Sequence, residues 1–122
     1  MDSKYKKMRI ISQDLNLSFE TQDWGIINSS SNQVGEFIDY FLQNKTYPNY
    51  IKYELYELIV ASYNDLLLEK IENDDIEKKI CSFINEEIEN ECFKLVLNYW
   101  KKIYNENEFP VYKFIEKCIK VQ

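Results

Sequence analysis

The chain has 122 residues, of which 45% are apolar, 16% aromatic and 30% charged, with a net charge of −6 at neutral pH. That length can bury a core without metals or disulfides, and two Gly with two Pro are too few turn residues for an all-β design. The absence of His removes the usual general base, the commonest metal ligand and the histidine-dependent nucleophile pairs together.

Residues 1–28 carry the weakest pattern. Leu15, Leu17 and Phe19 alternate with polar residues like a short strand, while Trp24, Ile26 and Ile27 flank Gly25. A lone short strand has no evident partner here, so this segment is expected to be irregular. From Ser29 the period becomes helical: Val34, Phe37, Ile38, Phe41 and Leu42 follow the i, i+3, i+4, i+7, i+8 rule, with Ser30 and Gln33 as a possible capping box. Thr46-Tyr47-Pro48 reopens a helix, because Pro is tolerated in a first turn.

The helix expected from Pro48 to Lys70 is the most informative. At about 100° per residue, Ile51, Leu55, Leu58, Ile59 and Leu66 form one apolar stripe, and Tyr53, Tyr56, Val60, Tyr63 and Leu67 a second beside it. Glu54, Glu57, Asn64 and Asp65 share the remaining arc. A helix apolar over most of its circumference is packed on two sides, so this one should be central. Asn73 to Glu77 reads as a helix start with Asp74 as N-cap and Glu77 at N3. Ile76, Ile80, Phe83, Ile84 and Ile88 follow, then Phe93, Val96, Leu97, Trp100, Ile103 and Tyr104 opposite Lys94, Lys101 and Lys102. Asn105-Glu106-Asn107 breaks the pattern and Pro110 restarts it for Val111, Phe114, Ile115, Cys118 and Ile119. The fold class is all-α: a compact single domain of about five helices over 29–122, preceded by the irregular segment 1–28.

Charge is unevenly spread. Residues 1–9 and 92–122 each carry a net +3, whereas 10–68 and 69–91 each carry −6. An acidic average repels a phosphate backbone, so nucleic acid is not the expected partner. Solvated helix faces are the ordinary account of such acids; the sharper one is a surface that attracts a basic protein. Cys81, Cys92 and Cys118 lack any CxxC spacing and fall on or beside apolar faces, which reads as buried thiols in a reducing compartment. No signal peptide or membrane-length apolar run is seen, so the expected location is the cytoplasm and no membrane partner is expected.

No Gly-rich phosphate loop can be built from Gly25 and Gly35. The acids at 86–91 crowd a helix junction without the ExxH pattern of bundle metal sites, so neither metal nor cofactor is expected. A carboxylate pair acting as acid and base would need opposed pockets that spacing alone does not display, and the chain is read as a non-enzyme. Tyrosine is the unusual resource, ten in all, with Tyr47, Tyr50, Tyr53, Tyr56 and Tyr63 in or just before the central helix. Such rings suit core rims and equally suit interface anchors beside acids.

Several strings carry a family resemblance. Asp23-Trp24, Gln33 through Phe41, Leu55 through Asn64, Asn98-Tyr99-Trp100 and Phe109 through Ile115 resemble small bacterial immunity proteins of contact-dependent growth inhibition and polymorphic-toxin systems. The likeness spans roughly 23–119. It implies an all-helical cytoplasmic protein that binds the C-terminal domain of a cognate toxin and blocks it without catalysis. An acidic inhibitor suits a basic nuclease groove. The expected partner-binding residues are Glu72, Asp74, Asp75, Glu86, Glu87, Glu89 and Glu91, with Tyr53 and Tyr56 as anchors. The competing reading is a helical adaptor or regulatory module unrelated to toxins.

Overall fold

A twenty-residue helix runs through the middle of the molecule, and the other elements are arranged by how they meet it. The computed structural model describes residues 2–120. Among these the order is α1 (Asp2–Leu15), α2 (Trp24–Ile27), one 3-10 turn (Ser31–Gln33), α3 (Val34–Gln43), α4 (Asn49–Leu68), α5 (Asp74–Glu87), α6 (Glu91–Lys102) and α7 (Val111–Lys120). The only β pairing among the described residues is an isolated bridge, Asn105 with Phe109. The all-α expectation therefore holds, with seven helices rather than about five.

α4 is central, as its two apolar stripes require. It packs against α1, α2, α3, α6, α7 and the 3-10 turn, while α5 is held by α3 and α7. Ile51, Leu55, Leu58 and Ile59 are fully buried, each worth roughly 1.5–3 kcal/mol relative to exposure. An aromatic cluster of Phe41, Tyr56, Phe83 and Phe93 joins α3, α4, α5 and α6, with ring centroids between 4.9 and 6.1 Å apart.

The segment expected to be irregular is mostly helix. Met8, Ile11 and Leu15 are buried at helical spacing, but the fourth place on that stripe is Ser12, which diluted the apolar signal. Ser12 fits because its hydroxyl donates to the Met8 carbonyl at 2.7 Å and accepts the buried Trp24 indole N–H at 2.9 Å. Asn16, at φ 58°, ends α1 in the left-handed conformation; Leu17 N–H then reaches the Ser12 carbonyl and Asn16 N–H that of Gln13. That pair of bonds is a Schellman closure, with Asn in the place Gly usually takes. α2 is a single turn laid against α4 so closely that a Cβ on Gly25 would stand 2.6 Å from the Leu58 backbone nitrogen.

Three local expectations are corrected. Ser30 and Gln33 form no capping box: the Ser30 hydroxyl donates to Asn32, and residues 31–33 are the 3-10 turn. The N-cap of α5 is Asn73, not Asp74, its Oδ1 accepting the Ile76 N–H; this leaves Asp74, Asp75 and Glu77 in the first turn, where the helix dipole favours them. The cysteines are not all unpaired and buried. Cys81 and Cys118 form a disulfide, and Cys92 is free and half-buried.

Candidate interaction surface

The seven acids expected to form one binding cluster divide between the two ends of α5. Glu72, Asp74 and Asp75 lie at its start and Glu86, Glu87, Glu89 and Glu91 at its end and the α6 start, about 20 Å away along a fourteen-residue helix. Several already have structural partners. Glu86 pairs with Lys45 at 3.4 Å and Glu89 with Lys94 at 3.5 Å. Glu87 accepts the Tyr56 hydroxyl at 2.7 Å. Among the described residues, no ion pair involves Glu72, Asp74, Asp75 or Glu91, and all four are exposed.

Tyr56 is corrected as an anchor. Its ring is 0% exposed within the aromatic cluster, and only its hydroxyl reaches outward to Glu87. Burial, and then that hydrogen bond, push its phenol well above the usual tyrosine range. Tyr63 is likewise buried and pushed up to about 12, mainly by desolvation.

Tyr53 is different, and around it the structure gathers a surface the sequence pattern did not single out. α4 and α6 start side by side, with the Asn90 amide donating to Asn49 Oδ1 at 3.2 Å. Tyr50, Tyr53, Glu54 and Glu57 succeed one another at helical spacing along the α4 flank. Glu91, Leu95 and Tyr99 do the same on α6. Tyr50 and Tyr99 are each 44% exposed and Leu95 59%. Burial raises the Tyr53 phenol, helped by Glu57, Glu54, Cys92 and Tyr99, so each of these groups lies within electrostatic reach of the Tyr53 hydroxyl.

Glu57 is the odd member. It belongs to the polar arc of α4, yet it is half-buried between α2 and α6, and its Oε2 is fully enclosed without a hydrogen-bond partner. The buried Trp100 indole N–H is also unpartnered. The two groups face each other short of hydrogen-bond geometry, and the indole N–H still favours the charged carboxylate. Desolvation outweighs that, and together with the nearby Glu54 and Asp23 carboxylates it raises the Glu57 pKa above the ordinary glutamate range. Two neighbours on the arc are structural as well: Glu54 pairs with Lys4 at 3.1 Å, and buried Asn64 accepts the Val111 N–H while donating to the Glu108 carbonyl.

The result is a face on which the Tyr50, Tyr53 and Tyr99 rings are interleaved with carboxylates, and to which α1 adds Lys4 on Glu54 and Lys7 over the Tyr50 ring.

 Its rings offer apolar contact and hydroxyls, and its carboxylates accept hydrogen bonds from cationic side chains. A third acidic set, Asp14, Glu36 and Asp39, lines a shallow cavity of about 540 Å³ between α1, α3 and α5. There Lys79 pairs with Asp39 at 2.6 Å, and the Tyr40 hydroxyl donates to Asp14 at 2.9 Å. Among the described residues no group of three His, Cys, Asp or Glu is placed to hold a metal ion, and no helix is long and apolar enough to cross a membrane. No family model, curated protein or solved structure matches this chain.

Proposed function

We propose that the protein is an immunity protein that binds the C-terminal domain of a cognate toxin, a basic nuclease, and covers its active or substrate-binding site without catalysis of its own. The observation that carries this reading is the α4/α6 face. Exposed Tyr50 and Tyr99 stand with half-buried Tyr53 beside exposed Glu91 and the half-buried Glu54 and Glu57 carboxylates, a combination that suits a groove built to hold a polyanion. Aromatic rings supply the desolvated anchors, while the carboxylates take the place of phosphates against Lys and Arg. The exposed acids at both ends of α5 add long-range attraction, which speeds encounter more than it tightens the complex.

The test is co-purification of the tagged protein with the product of the adjacent upstream reading frame, together with growth rescue when both are expressed. A one-to-one complex that abolishes that product's toxicity, and that Y99A weakens, is the expected result. Absence of both complex and rescue overturns the proposal and leaves the adaptor reading.

A further inference from the structure

The Cys81–Cys118 disulfide ties α5 to α7 across a sequence separation of 37 residues. Both cysteines line a groove of about 440 Å³ between these helices, together with Phe114, the lysines Lys78 and Lys117 and the acids Asp74 and Glu77. The two ends of the bond differ in access: Cys118 is 5% exposed, whereas Cys81 is only half-buried.

α7 is also held unevenly along its length. Its first half is fixed independently of the disulfide, by the Val111 N–H bond to Asn64 at 3.1 Å, by burial of Val111 and Ile115, and by Phe114 against Tyr63 at 4.7 Å between ring centroids. Among the described residues, no side-chain hydrogen bond or ion pair holds 116–119. The disulfide is therefore the principal tie on that turn.

We infer that this disulfide is a thiol-exchange site latching the last turns of α7, opened by attack of a low-molecular-weight thiol on Cys81. The attacking thiolate forms a bond to Cys81 Sγ, and the Cys81–Cys118 bond breaks with its electron pair leaving on Cys118 Sγ, which takes a proton from water. A second thiolate attacks the small-thiol sulfur of this mixed disulfide and releases the Cys81 thiolate. The protein disulfide is reduced by two electrons, and two small thiols are oxidised to one disulfide. The Lys78 and Lys117 ammonium groups in the groove are balanced by the Asp74 and Glu77 carboxylates, so it is access that singles out Cys81 as the sulfur attacked. Opening frees 116–119 while 111–115 stay docked on α4.

The experiment treats the full-length folded protein with glutathione, quenches in acid and maps the adduct, with amide exchange followed before and after. The expected adduct is on Cys81 with Cys118 as a free thiol, and exchange at 116–119 rises at least about tenfold while 111–113 and α4 hold their protection. C118S should reproduce that loosening with no thiol added. An adduct chiefly on Cys118, opening only in denaturant, or exchange that rises throughout or nowhere overturns the inference. So does a chain that titrates three free thiols and forms no bond with oxidised glutathione.

Discussion

The two acid-bearing regions of this molecule hold their carboxylates on different terms. Along α5 and its junction with α6 the acids are outward and largely serve the helices: Asp74, Asp75 and Glu77 face the positive end of the α5 dipole, and Glu86 and Glu89 pair with lysines. On the α4/α6 face Glu57 is drawn inward among like charges, with an enclosed oxygen that no donor satisfies. Density of acids along a chain thus marks helix ends, where carboxylates are easily accommodated. A carboxylate held at a cost to the fold is the better mark of a site.

A glycine of a neighbouring helix packs against each region, Gly25 of α2 on α4 and Gly35 of α3 on α5, and replacing it separates them most strongly. At Gly25 a Cβ would meet Leu58 backbone at 2.6 Å, and backbone cannot rotate away. Gly25→Ala should lose about 3 kcal/mol in urea unfolding and disturb the face through α2. At Gly35 the Cβ would meet only the end of the Ile76 side chain, at 3.2 Å, so Gly35→Ala should lie within about 1 kcal/mol of the parent, helix propensity offsetting the contact. Equal losses at both positions would break the comparison.

Binding sharpens it next. Tyr99→Ala should cost about 2 kcal/mol of toxin affinity, chiefly as faster dissociation. Asp74→Asn with Asp75→Asn should instead slow association at low salt and leave dissociation unchanged. The assignment of roles fails if calorimetry and stopped-flow kinetics give the reverse. Tyr56→Phe comes below these: it strands the Glu87 carboxylate at the edge of the fold and should cost about 1 kcal/mol of stability, with affinity unchanged.

The helical scaffold was legible because burial imposes a period, and α3 through α7 followed it closely. α1 was missed where a polar residue with two internal hydrogen bonds, Ser12, took a core position. The α5 cap lies one residue from the expected place because Asn73 and Asp74 are both good caps and only geometry chooses between them. The candidate face was half-legible. Tyrosines beside acids on α4 were visible in the sequence, but Tyr53 and Tyr56 could not be told apart as rim and core, since they differ only in which neighbouring helix covers them. Tyr99 joins the face through tertiary packing of α6 on α4, which no local pattern encodes.

The smallest expected effect tests the premise that Glu57 is held against the interest of the fold. Its pKa is raised in the folded protein by desolvation first, then by Glu54 and Asp23, against the lowering effect of the Trp100 N–H. In the unfolded chain it returns to the ordinary glutamate value. Between those two values the folded state binds more protons than the unfolded one, so this group's contribution to stability is fully present below the unfolded pKa and is lost as pH rises through the folded pKa. Glu57→Gln removes that loss. The variant should match the parent near pH 4 and exceed it at pH 7 by about 1 kcal/mol, the scale of one unsatisfied buried polar group, while binding its cationic partner less tightly. Urea midpoints at the two pH values decide the matter. A variant less stable than the parent by the same margin at both would mean that Glu57 is an ordinary structural carboxylate, and the face would lose its distinguishing member.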